Sequence, residues 1–164
     1  MHSSRARPNM EAATWYLVQC KAREGFKAEQ YLTSQGFTCF HPVQWQRSSQ
    51  LGKGCIAKLE SLFPYYVFLR VNAEQSLATV RSTRGVLKLV SFGVQPLQVP
   101  QTLVETLQHY CRQHAQPPAE HKLAAGDRVT VIEGPFSELE ATVHRANANA
   151  RVILLLNLLG EKHK

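Results

Sequence analysis

Ser61-Leu62-Phe63-Pro64-Tyr65-Tyr66-Val67-Phe68-Leu69-Arg70 puts four aromatic and three aliphatic side chains into ten residues, more than one face of a half-buried strand can hide. Pro64 excludes the middle of a helix, because it has no amide donor and its ring collides with the preceding turn. Read as a strand, with side chains alternating between faces, the run sends Tyr65, Val67 and Leu69 to one side. Leu62, Tyr66 and Phe68 go to the other. The first set suits a domain core. The second needs a cover from another unit or a partner, since monomeric proteins rarely leave a large apolar patch open.

The flanking patterns give this strand its neighbours. Trp15 to Lys21 alternates like a strand, and the helix-like stretch after it ends at Gly36. Thr38 to Trp45 reads as a second strand. The polar segment from Arg47 to Lys58 contains Leu51-Gly52-Lys53-Gly54, a hairpin tip. Leu62 to Val71 is the third strand. Asn72 followed by Gln75 predicts a capping box at the start of a short helix, and Ser82-Thr83-Arg84-Gly85 ends it. Val86 to Phe92 forms a fourth strand, and Pro100 leads into an amphipathic helix over 101–113. The order β-α-β-β-α-β predicts an α+β, ferredoxin-like split βαβ domain over 14–114, with helices on one face of a four-stranded antiparallel sheet. The other sheet face stays available.

Residues 115–125 read as a linker stiffened by Pro117 and Pro118, and 126–164 as a second unit. There, Gly126-Asp127-Arg128-Val129-Thr130-Val131-Ile132-Glu133-Gly134-Pro135-Phe136 has the spacing of a KOW module, a small SH3-like barrel. Ala141 to Leu159 suits two structures. Val143, Val152 and Ile153 favour strands, while Ala146, Ala148, Ala150 and Leu154 to Leu156 favour a helix. Periodicity does not decide so short a run.

With 164 residues and 44% apolar content, the chain can build one cored domain plus a small module. It has no apolar run long enough to span a bilayer. Met1 to Ala13 lacks the apolar stretch of a secretory leader and is expected to be a disordered tail. Four scattered cysteines without a Cys-x-x-Cys pair argue against zinc and disulfides and for reduced, cytoplasmic thiols. The net charge of +7 is uneven: residues 10–112 hold eleven Lys/Arg against six Asp/Glu, whereas 113–164 hold six of each. The basic N-terminal part suggests a polyanion such as nucleic acid. No phosphate loop, metal spacing or Ser/Cys–His–Asp arrangement points to an enzyme or a cofactor, and His41 and His144 read as surface or hairpin residues. At about 100° per residue, Arg23, Lys27 and Tyr31 share one face of the first helix, with Ala22, Phe26 and Leu32 on the core-facing side. Two cations and an aromatic suit single-stranded DNA, which is held by charge and stacking.

The segments Trp15-Tyr16-Leu17, Cys20-Lys21, Leu62-Phe63-Pro64, Tyr66, Phe68, Thr83-Arg84-Gly85-Val86, Phe92-Gly93, Gly126-Asp127, Glu133-Gly134 and Leu154-Leu155-Leu156-Asn157-Leu158 follow an order and spacing that resembles the NusG family of transcription elongation factors, in particular its specialised RfaH-like branch. The resemblance implies no catalysis. It implies an NGN domain that binds the RNA polymerase β′ clamp helices through Leu62, Phe63, Tyr66 and Phe68, suppressing pausing and termination. It also implies contact with non-template single-stranded DNA through Lys21, Arg23, Lys27, Tyr31, Thr83 and Arg84, although the RfaH-like branch has histidine where Tyr31 stands. Glu60 and Arg151 fall where that branch has an interdomain salt bridge. Its KOW unit is an α-helical hairpin when closed on the apolar patch and a β-barrel, recruiting the ribosome, when released. The sequence stops at Lys164, where the family continues into a fifth barrel strand. A mainly helical unit packed on Tyr66 and Phe68 is therefore expected, in a cytoplasmic monomer. A general NusG-like factor and a KOW-type RNA- or ribosome-binding protein are the alternative readings.

Overall fold

The computed structural model describes residues 13–49, 55–117 and 148–161. Its centre is β1 (Thr14–Cys20), which pairs antiparallel with β5 (Tyr66–Val71) on one side and β6 (Val86–Leu89) on the other. β2 (Thr38–Phe40) lies outside β5, and the short β9 (Gln98–Val99) pairs with the start of β1, so a fifth strand joins the four expected. Because strand residues alternate between faces, the register fixes two cores. Leu17 opposes Phe68 on one face, and Val18 opposes Val67 on the other.

The first face holds α1 (Gly25–Ser34) and α2 (Leu77–Arg81), whose Ala28, Leu32 and Val80 pack with Val18, Val67, Leu69 and Val86. The second face carries Trp15, Leu17 and Phe68. The amphipathic α3 (Gln101–Gln113) covers part of it through Leu103, Val104, Leu107 and Tyr110, and α4 (Ala148–Glu161) adds Leu155 and Leu159. Trp15 Nε1 donates to the Gln101 side chain at 2.7 Å, fixing the start of α3 to β1. The helices of the split βαβ unit share one face as expected, and the face expected to be free is occupied by α3 and α4.

Several boundaries differ from the sequence pattern, each for a local reason. The strand expected over Thr38–Trp45 breaks at His41-Pro42. β3 (Val43–Ser49) then leaves the main sheet to form a two-stranded ribbon with β4 (Cys55–Ser61); the tip at 51–54 lies outside the described residues. Proline has no amide for the ladder, so the break falls where a donor is missing. The strand expected to start at Leu62 starts at Tyr66, because Phe63 to Tyr66 is a turn closed by Tyr66 N donating to Phe63 O at 3.1 Å. Tyr65 is therefore 48% exposed and not core. Gln75 does accept from Asn72 N at 3.0 Å, but the helix begins later, with Ser76 as the cap accepting from Ala78 N. The fourth strand ends at Leu89, and the chain folds into a small hairpin of β7 (Ser91–Phe92) and β8 (Gln95–Pro96) around Gly93 at φ +62°.

On α1 the buried stripe is Ala28 and Leu32, four residues apart. Phe26, expected in the core, is 52% exposed, and Arg23 precedes the helix in a turn at φ +62°. The proposed KOW module lies outside the described residues up to 147; the remainder, Ala148–Glu161, is helical. Of residues 1–13, expected to be a tail, 1–12 also fall outside them.

Gly85 ties the loop after α2 to the first face. Its φ is +88°, and a Cβ there would stand 3.0 Å from Ala28 N. Gly36 has the same φ with nothing within 4 Å. Gly36→Ala should therefore cost about 1–2 kcal/mol from backbone strain alone, and Gly85→Ala distinctly more. Denaturant midpoints of the two variants measure the difference.

Candidate functional site

Two neighbouring regions carry the residues singled out by sequence. The aromatic region is largely covered in this conformation. Leu62, Phe63 and Phe68 are each fully buried, and Tyr66 is half-buried. Phe68 sits between Phe40 and Phe63, with ring centroids 5.9 and 6.3 Å away, the Phe63 ring edge-on. The cover is α4. Arg151, Leu155 and Leu159 recur every fourth residue, which places them on one helical face, and all three are buried. Ile153 and Asn157 face outward. Burial pushes the Tyr66 phenol above its usual value. Beside that ring, a groove of about 520 Å³ opens between Gln19, Lys88, Phe92 and Leu156.

Arg151 is the polar element of this contact. It is 5% exposed, and its Nε donates to the main-chain oxygen of Leu62 at 2.8 Å. Burial lowers the guanidinium pKa, while Tyr110 and Glu60 act in the opposite sense. Glu60 is thus close enough to favour the charge on Arg151, the two residues expected to face each other across the unit boundary.

The basic region collects at the C-terminal end of β1. Lys21 N donates to Gly85 O at 2.8 Å, and Glu24 N donates to Lys21 O at 3.0 Å. The β1–α1 turn and the 82–85 loop are therefore joined through backbone, and exposed Lys21, Arg23 and Arg84 lie on these two segments. Lys27 and Tyr31 stand one turn apart on α1. Lys27 forms a partly exposed ion pair with Glu24 at 3.4 Å, a contact of at most about 1 kcal/mol. Thr83 differs from the others. It is 4% exposed, with its hydroxyl 2.9 Å from Thr79 O and 3.1 Å from the Gln35 side chain. Its side chain secures the loop that carries Arg84.

His41, read as a surface or hairpin residue, is 7% exposed at the β2–β3 junction. Its Nε2 lies 2.6 Å from Ser61 Oγ and its Nδ1 3.3 Å from Glu29 Oε2, and the Phe26 ring packs at 4.5 Å. The residues come from α1, the β2–β3 junction and the end of β4, so no local motif announces the cluster. It binds α1 to the strand that leads into the aromatic turn. Among the described residues, no group of three or more His, Cys, Asp or Glu side chains could hold a metal ion, and no helix is long and apolar enough to cross a membrane.

An antiparallel split βαβ sheet, with α1 and α2 on one face and α3 and α4 on the other, makes an α+β domain. Residues 13–108 match the family model described as "Transcription termination factor nusG", and the chain belongs to the NusG family of transcription factors. It is 32% identical over 142 residues to the transcription termination/antitermination protein NusG of Deinococcus radiodurans, covering 77% of this chain and 75% of that protein. The solved structure "Domain interaction in Thermotoga maritima NusG" is 23% identical over 76% of this chain and 75% of that one, with a TM-score of 0.47.

Cys20 is buried and Cys39 half-buried in the main sheet. Burial is the leading cause that pushes the Cys20 thiol up to about 12 and Cys39 up to about 11. In the native protein at pH 8 both should resist iodoacetamide, while the denatured chain reacts at both; peptide mass spectrometry checks this. Since both thiols ionise later folded than unfolded, their contribution is intact below about 9 and is lost as pH rises towards 11–12.

Proposed function

We propose that this chain is a specialised elongation and antitermination factor held in a closed state. Leu62, Phe63, Tyr66 and Phe68 grip the β′ clamp helices of RNA polymerase once α4 leaves, and Lys21, Arg23, Lys27, Tyr31 and Arg84 hold the non-template DNA strand. Thr83 shapes the loop behind Arg84. The role is binding, with no chemical step. The observation that carries this reading is the burial of α4 on the aromatic patch through Arg151, Leu155 and Leu159.

The energetics favour a reversible cover. Burying Leu155 and Leu159 contributes roughly 1.5–3 kcal/mol each, and the desolvation of Arg151 offsets part of that gain. A remainder of a few kcal/mol is within reach of a competing amphipathic helix with better anchors. The two leucines are buried in the same cluster as Phe63 and Phe68. A helical Ala148–Glu161 also suits the RfaH-like branch better than a constitutively open general factor.

In vitro transcription on templates with and without pause elements tests the two regions separately. Tyr66→Ala should abolish pause suppression on every template. Arg84→Ala should remove only the preference between templates, and an unchanged profile for both variants would refute the assignment. Glu60→Lys reverses the charge that supports Arg151. It should increase capture of core RNA polymerase in the absence of DNA by about tenfold, the equivalent of about 1.4 kcal/mol; equal capture would remove Glu60 from the closed contact.

A further inference from the structure

We propose that the groove between the Phe63–Tyr66 turn and the β1–α1 turn is a base-stacking site for single-stranded DNA, with Tyr65 as its platform. The starting observation is a residue in the wrong place for folding. Pro64 occupies the second position of the turn and Tyr65 the third, at φ +74°. This is the type II geometry, whose third position favours glycine or asparagine. A tyrosine there is strained, and such strain persists only where the surroundings over-determine it. Cys20 N donating to Tyr65 O at 2.6 Å supplies the restraint. The side chain stays 48% exposed and belongs to neither core.

What it faces gives the strained ring a use. It lines a groove of about 660 Å³ together with Phe26, Lys21, Arg23 and Lys58. Phe26 is 52% exposed and steadied by its contact with His41. Arg23 is itself in the left-handed region, at φ +62°. The lining carboxylate is Glu60, which also acts on Arg151. Two exposed aromatic rings among three cations match a strand with phosphates for the cations and unpaired bases for the rings. Duplex DNA would present its phosphates but keep its base faces stacked. Base stacking selects the single strand.

This inference rests on the nucleic-acid reading above and extends it to Tyr65, Phe26 and Lys58. The test uses the full chain, a fluorescein-labelled oligothymidylate of about twelve nucleotides read by anisotropy, and thermal unfolding of each variant. Tyr65→Asn should raise the Tm, because asparagine tolerates the left-handed backbone, and weaken binding about 5- to 100-fold. Tyr65→Phe should bind like the parent. A Tyr65→Asn variant that binds normally while Arg84→Ala binds weakly would overturn the groove and leave the nucleic-acid reading standing. Normal binding by both would overturn that reading and the groove with it. A Tm lowered along with affinity would show the ring to be structural and would also overturn the proposal.

Discussion

Phe68 cannot be wetted cheaply. It lies mid-strand in β5, opposite Leu17 of the central strand, and alternation sends it to the face away from α1 and α2. Leu62 and Phe63 converge on the same place from the preceding turn. Leaving large apolar side chains such as these in water costs roughly 1.5–3 kcal/mol each. α3 covers only part of the face, so the molecule needs a second cover, and α4 is the one it uses here. The burial of Arg151, Leu155 and Leu159 follows from that requirement.

The choice of cover has a physical logic. An all-leucine face on α4 would bind more tightly, yet one position of the buried stripe is an arginine. Burying a guanidinium is unfavourable unless its donors are satisfied. The Leu62 carbonyl accepts from Nε, and the neighbouring Glu60 favours the charge. Such a contact trades strength for registry, because it is satisfied only when the helix is in the right position along the patch. The contact therefore fixes where along the patch α4 sits.

Much of this architecture was legible in the chain. Alternation from Tyr66 to Val71 assigned both faces of β5 correctly, Pro100 marked the start of α3, and Ser82 to Gly85 marked the end of α2. The departures arise where backbone geometry or distant partners override periodicity. A strict two-residue period carried back through Pro64 hides the turn and misplaces Tyr65. The His41 cluster joins residues 12 and 20 positions away in sequence, so nothing near His41 signals its burial. Helical phase alone gave Phe26 to the core because it could not foresee the pocket against His41. For the candidate site, residue types and positions near the end of β1 were readable. The inward turn of Thr83 was not, since a hydroxyl in a Ser-Thr-Arg-Gly loop looks equally suited to solvent.

Arg151 holds α4 through a main-chain oxygen, and a main-chain oxygen is present whatever residue occupies position 62. Drift in the aromatic turn therefore cannot delete the acceptor, however much it reshapes the patch for a new partner. The tightness of closure is instead heritable through the helix and the acidic neighbour. The aromatic patch and the contact that holds α4 on it can therefore vary through separate substitutions.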